Sequence, residues 1–426
     1  MIPPGSLRKT QGVNPAMRKL AMLLALLLCL TLLPTASLAL GENGKTKDDY
    51  VSLDSLAREH GFLMGASFNY KQCTTNPAYM ELVKTHFSSL TCTNETKAYS
   101  LLNQTASRVA KDGMPVMNYY QADKMVEWAQ QNGMKVRGHV LVWDAYMCDW
   151  FFREGYDSSK PYADPETIRA RTRYYIEQVI THFEEKFPGV IYCWDVVNEA
   201  IGDGNGEYDP ADPRHLRTTR SGADNLFKTC LGDDYVEFSF LCAKDTVEKL
   251  GADIKLFYND YNMFFDGKRA AAIQLARSIN SYAKDAEGNY RKLIDGMGMQ
   301  GYIGGYGKQQ DCLNDNHITR IETSIRLYAK EGLEVHITEM AVRNFQDDQP
   351  TIDLHADFYG RLFEMFKKVN SGEEKPLTCV AIWGVTDNPT ATGYNYNLLS
   401  PYGGLVTEKY QIKHAFDRVH AVLGGE

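Results

Sequence analysis

Two glutamates, Glu199 in YCWDVVNEA and Glu339 in EVHITEM, each close a short apolar run that reads as a buried strand. Neither sits at the His or Cys spacing of a metal site. A carboxyl pair without a metal suits hydrolysis of a glycosidic bond. One acid protonates the leaving oxygen, and the other attacks the anomeric carbon or activates water. A separation of about 5–5.5 Å goes with retention of configuration and about 6.5–9.5 Å with inversion. Similar polar and aromatic residues end the other apolar runs: Asn94, Glu95 and Lys97; His139, Trp143 and Asp144; Asn198. Farther along come Tyr258, Asn259 and Asp260, then Gln300 and Tyr302, then Trp383 and Asp387. Indoles offer flat apolar faces to sugar rings, while amides, Lys and His donate to hydroxyls. Core packing is the rival reading for Trp143 and Trp383, a strand-end ion pair for the glutamates, and a backbone-satisfied histidine for His139. Trp128 and Trp194, inside a helix and a strand, read as packing.

These residues need elements that bring eight run ends together. The runs lie at 62–68, 87–94, 135–143, 192–199, 255–262, 296–303, 334–340 and 378–385. Amphipathic stretches such as ADKMVEWAQQNG, TIRARTRYYIEQVITHFEEKF and HADFYGRLFEMFKKVN alternate with them. Gly133, Pro188, Gly251 and Gly332 punctuate the helix ends. Alternation of this kind predicts an α/β fold, a (β/α)8 TIM barrel forming a single catalytic domain, whose strand C-termini converge on one cleft. A doubly wound open sheet is the alternative, but no GxGxxG follows the first run.

Composition fits a globular chain: 426 residues, 44% hydrophobic and 23% charged, with a formal net charge of −8 that disfavours nucleic acid as a partner. MRKLAMLLALLLCLTLLPTASLA reads as a secretory signal, with Arg18 and Lys19 before an apolar run and a small-residue site at Ser37–Ala39. The expected division is 1–16 as an upstream extension, 17–39 as signal peptide and 40–426 as the catalytic domain. The mature protein is expected to be secreted, extracellular or periplasmic, off the membrane once cleaved, and monomeric. After Cys29, no CxxC pair occurs among the remaining cysteines, and their pairing stays open. The acidic loops GDGNGEYD and QDDQ match no EF-hand spacing and read as solvated.

WDVVNEA, VRGHVLVW, LFYNDYN, GMGMQG, VHITEM and AIWGVTD occur in the order found in glycoside hydrolase family 10, the (β/α)8 endo-1,4-β-xylanases, and the chain resembles that family from about Leu63 to Leu423. The resemblance implies a retaining enzyme with Glu199 as acid/base and Glu339 as nucleophile. It implies that Asn198 bonds the sugar 2-hydroxyl, and that Asn94, Lys97, His139, Trp143 and Trp383 bind sugars on the non-reducing side. Gln300 is expected near the nucleophile, and Tyr258 and Asn259 on the leaving-group side. Xylan or xylo-oligosaccharide is the implied partner. No cofactor is implied, because acid and nucleophile are both side chains.

The chain departs from the family pattern at several points. Thr93 replaces the Glu before Asn94, and LVWDAY replaces LVWHSQ, giving Asp144 and Tyr146. QGY replaces QGH at Tyr302, TEMA replaces TELD at Ala341, and Ala391 stands about where a Trp is usual, with Tyr394 and Tyr396 nearby. A His needs a partner to fix its tautomer and a phenol does not, so Tyr302 is expected to donate to Glu339 in place of the imidazole. These changes leave two other readings open: a retaining glycosidase for short or decorated xylo-oligosaccharides or another β-linked glycan, and a secreted glycan-binding barrel without turnover.

Overall fold

The computed structural model describes residues 45–204, 208–304, 313–389 and 401–425. The 1–16 extension, the 17–39 signal segment, Cys312, Ala391, Tyr394 and Tyr396 lie outside the described residues. Eight parallel strands form the barrel: β1 (Leu63–Phe68), β2 (Ser89–Cys92), β3 (Lys135–Gly138), β4 (Ile191–Asn198), β7 (Lys255–Asp260), β8 (Gly296–Met299), β10 (Glu334–Val342) and β11 (Leu377–Ile382). They neighbour one another in that order, and β11 pairs with both β1 and β10, which closes the ring. A hairpin of β5 (Thr219–Arg220) and β6 (Ala223–Asp224) stands outside the barrel, and the two-residue β9 (Tyr302–Ile303) extends β10 in parallel.

The long helices pack outside with their apolar stripes turned inward. Pro165–Lys186 begins where Asp164 accepts from the Thr167 N–H and Pro165 needs no donor partner. Its buried residues Ile168, Thr172, Tyr175, Ile176, Val179 and Phe183 recur at helical spacing, and the Phe183 ring lies 6.0 Å from Trp194. Full burial of a side chain like Phe183 contributes about 1.5–3 kcal/mol. Trp194 in turn lies across Gly138, where a Cβ would stand 2.3 Å from the indole, so only glycine fits. Trp194 and Trp128 both serve packing.

Differences from the sequence reading are local. The third run, 135–143, is a strand only to Gly138; after the cis His139–Val140 peptide the chain touches β4 again through a bridge from Val142 to Val197. The last described helix, His414–Leu423, starts directly after Lys413, whose ammonium donates to Asp387 at 2.8 Å. All seven described cysteines are free, five of them buried.

Two irregularities serve the site. The β4–β7 register shifts between Asp195 and Val197, and the β10–β11 register shifts between Ile337 and Met340. Side chains alternate faces along a regular strand, and an inserted residue breaks the alternation. Asp195 and Asn198, three apart, thereby both reach partners from neighbouring strands: Arg137 and Asn259.

Candidate active site

The strand ends surround a cleft of about 780 Å³. Its floor is a chain of amides. Gln300 Nε2 donates to Glu199 Oε1 at 2.9 Å and to Asn198 Oδ1 at 3.4 Å. Asn259 Nδ2 donates to Asn198 Oδ1 at 2.9 Å and to Glu339 Oε1 at 3.0 Å. Three amides from β4, β7 and the turn after β8 therefore connect the two carboxylates. Thr338 Oγ1 fixes the far side of Asn259 at 2.6 Å. Gly298 makes room, since a Cβ there would lie 2.4 Å from Asn259 Oδ1. Asn198 Nδ2 is buried and meets no acceptor among the described residues, so a hydroxyl placed above it gains a bond without displacing one.

Glu199 follows β4 with φ of +53°, a left-handed conformation uncommon outside glycine. Its N–H bonds the Asn259 carbonyl at 2.9 Å, and its carbonyl accepts from Arg220 at 3.0 Å and Arg217 at 3.3 Å. Burial pushes its carboxyl up to about 7; Asp260 and Glu339 add to the rise, while Arg220 and Gln300 oppose it. A carboxyl with that value can carry a proton near neutrality. Glu339 accepts on both oxygens, from Asn259 and, at 2.5 Å, from the Tyr302 hydroxyl. The expected phenol-for-imidazole contact is present.

His139 Nδ1 lies 2.8 Å from Asp195 Oδ2, which leaves its other nitrogen toward the cleft. Burial alone would raise the Asp195 carboxyl, but Arg137, bonded to both its oxygens, and His139 hold it below its usual range. The His139 ring lies edge-on to Trp143 at 6.0 Å and to Trp383 at 6.2 Å, so three rings wall one end. Lys97 Nζ reaches Asn94 Oδ1 at 3.1 Å and lies 4.9 Å from the Trp143 ring and 4.5 Å from the Tyr146 ring. Burial lowers the Lys97 ammonium to about 8 against the pull of Glu339 and Glu199.

Nine of the twelve expected site residues line the cleft: Asn94, Lys97, His139, Trp143, Glu199, Gln300, Tyr302, Glu339 and Trp383. Asn198 and Asn259 lie just beneath, bonded to each other, with Asn259 also bonded to Glu339. Tyr258 does not reach it. Its hydroxyl donates to Asp260 at 2.5 Å and accepts from the Ile201 N–H, and Tyr261 and Asn262 occupy the wall instead. Asp387 is likewise spent on Lys413 and the Gly404 N–H. Thr93 bonds the Phe68 carbonyl through its own hydroxyl at 2.9 Å. Sequence reasoning missed Tyr261, Asn262, Asp203 and Arg220, of which Arg220 contacts both Asp144 and Glu199. A turn signal was there: Ser221–Gly222 between Arg220 and Ala223, with φ of +49° and +83°, makes the tight hairpin turn.

The comparisons agree with this architecture. The model of glycosyl hydrolase family 10 matches residues 52–422. A putative endo-1,4-beta-xylanase of Caldicellulosiruptor saccharolyticus is 34% identical over 298 residues, covering 68% of this chain and 86% of that protein. Endo-1,4-beta-xylanase A of Thermotoga maritima is 33% identical over 322 residues, and there the chain covers 74% of itself but spans only 26% of its relative. The crystal structure of an intracellular xylanase from Thermoanaerobacterium saccharolyticum superposes with a TM-score of 0.69 at 26% identity, covering 87% of this chain and 99% of that one. With its barrel, its strand-end glutamates and a family match across nearly the whole described region, the chain belongs to glycosyl hydrolase family 10.

Proposed function

We propose that this protein is a retaining endo-1,4-β-xylanase in which Glu199 is the acid/base and Glu339 the nucleophile. The observation that carries the reading is geometric: one chain of amides, Gln300, Asn198 and Asn259, joins two strand-end carboxyls in a single cleft, with Glu199 at one end and Glu339 at the other. Glu339 attacks the anomeric carbon as the glycosidic C–O bond breaks, and the Glu199 proton goes to the leaving oxygen. Glu339 is then bound to the sugar, and Glu199, now ionised, takes a proton from water as that water attacks the same carbon. The C–O bond to Glu339 breaks, and both residues return to their starting states. Asn198 Nδ2 supplies a donor for the sugar 2-hydroxyl, where hydrogen bonds strengthen as the ring becomes oxocarbenium-like.

Incubation with a 2-fluoro-xylobioside carrying a good leaving group tests this directly. Mass spectrometry of peptides should find the label on Glu339; label elsewhere, or turnover with no adduct, rejects the assignment.

Preference for short or decorated xylo-oligosaccharides is a second reading, favoured by Tyr146. Its ring lies 4.4 Å from Trp143, where the family has the slimmer Gln. Product lengths from linear xylan separate the two. We also infer export by the 17–39 segment, which N-terminal sequencing of protein recovered outside the cytoplasm would check.

A further inference from the structure

Asp144 and Arg220 come from separate parts of the chain, the turn after β3 and the outlying β5–β6 hairpin, yet they meet at the acid/base. Arg220 Nε and Nη2 grip the two Asp144 oxygens at 2.9 Å and 2.8 Å, the fork-to-fork geometry that fixes a guanidinium in its plane. With the plane fixed, Nη1 points at Glu199 Oε2 at 2.9 Å, and Nη2 also reaches the Glu199 carbonyl at 3.0 Å. Gln300 already occupies Oε1. Both carboxylate oxygens of Glu199 thus accept, an arrangement that fits its ionised state. An acid must carry a proton, and the oxygen that can take one by losing a single contact on the cleft side is Oε2. Arg220 keeps 22% of its side chain exposed there.

We propose that Asp144 and Arg220 form a clamp in which the guanidinium competes with the catalytic proton for Glu199 Oε2, so that the hairpin sets both the aim of the acid/base carboxyl and the pH at which it lets its proton go. The clamp rests on the reading of Glu199 as acid/base. It also accounts for the carboxylate of Asp144 where the family has a His: the guanidinium needs a counter-charge to be held, and a second anion near Glu199 needs a cation between them. Arg220 is a positioning residue, acting through Glu199 rather than on substrate.

Other charges face Glu199. Asp260 on β7 and Glu339 on β10 favour its protonated form, while Lys97 after β2 and Arg217 at its carbonyl favour the ionised one. His139, Tyr261 and Tyr302 share the cleft, and Asp203 binds Arg217 and Lys268 at its edge. None of these changes when the clamp is altered, so removal of its two halves should act with opposite signs. R220Q removes the competitor, and Glu199 holds its proton to higher pH. D144N removes a nearby negative charge and leaves the guanidinium uncompensated, and Glu199 loses its proton at lower pH.

The test compares full-length wild type, R220Q, R220K and D144N by pH profiles of kcat/KM on xylohexaose and on a nitrophenyl xylobioside, whose leaving group needs little protonation. R220Q should move the upper limb on xylohexaose up by about 1 pH unit, the lower end of the effect of an adjacent opposite charge, and D144N should move it down. Because the carboxyl also loses its aim, R220Q should lower kcat/KM on xylohexaose about 10-fold while leaving kcat/KM on the nitrophenyl substrate, whose first step needs little acid assistance, within about 2-fold. R220K should restore part of the shift, since an ammonium keeps the charge but not the fork. In parallel, the Glu199 carboxyl is titrated by carbon-13 NMR, which needs no turnover. Limbs and titrations that stay put in both R220Q and D144N, or move the same way, overturn the clamp. An inactive wild type whose Glu199 titration still moves oppositely in the two variants would reject the enzyme reading and leave the clamp standing.

Discussion

The Tyr302 hydroxyl donates to Glu339 Oε2 at 2.5 Å, and Tyr302 is the register partner of Ala341 in the β9–β10 ladder. The two departures from the family motif are therefore neighbours across a single strand pair. A phenol carries its donor without a tautomer to fix, so the partner position can be as small as alanine. Y302F should reduce kcat about 10- to 100-fold, the equivalent of one ~1.5–3 kcal/mol hydrogen bond to a charged group. Y302H alone should recover little, whereas Y302H/A341D, which restores a carboxylate beside the imidazole, should recover more than either single change predicts. Full activity in Y302F would remove the hydroxyl from the account.

The proton on Glu199 sets the upper pH limb. Burial raises its carboxyl to about 7, so in free enzyme the protonated form dominates below that value and is lost above it. For unactivated substrates kcat/KM should fall about tenfold per pH unit on the alkaline side, since the acid form is the active one. An E199A enzyme should lose that limb and still form the glycosyl-enzyme from nitrophenyl substrates.

Asn259 and Asn198 should separate when mutated. N259A deprives Glu339 Oε1, Asn198 Oδ1 and Thr338 Oγ1 of a buried partner at once, so both stability and kcat should drop, stability by about 1–3 kcal/mol. For N198D, which keeps the acceptor but removes the Nδ2 donor, melting should change less than in N259A. Its kcat should fall on substrates bearing a 2-hydroxyl and be nearly unchanged on 2-deoxy analogues. Equal losses on both substrates would contradict the 2-hydroxyl role.

Gly138 tests the scaffold apart from the chemistry. G138A drives a methyl into the Trp194 indole, and overpacking of this kind costs about 1–3 kcal/mol. Thermal melting should show that loss, and the pH profile of the folded variant should keep its limbs.

The barrel was legible because burial on both faces makes parallel strands continuous apolar runs, and each of the eight runs overlaps a barrel strand. Their polar ends pointed to the cleft for the same reason. Tyr258 was misplaced although strand alternation could have corrected it. Tyr258 and Asn259 are consecutive in β7 and face opposite ways, and Asn259 is the inward one, as its bonds to Asn198 and Glu339 show. The bulge that turns Asn198 inward had no residue signature, since it follows from pairing between distant strands. Arg220 shows the other limit. Its hairpin turn could be read from Ser221–Gly222, but its reach to Asp144, seventy-six residues earlier, exists only in the folded barrel.

The anomer released first decides the central claim. Proton NMR of xylohexaose during the first turnovers, before mutarotation, should show internal cleavage with the β-anomer at the new reducing ends, as a double displacement through Glu339 requires. Initial release of the α-anomer would mean single displacement by water and would contradict Glu339 as nucleophile.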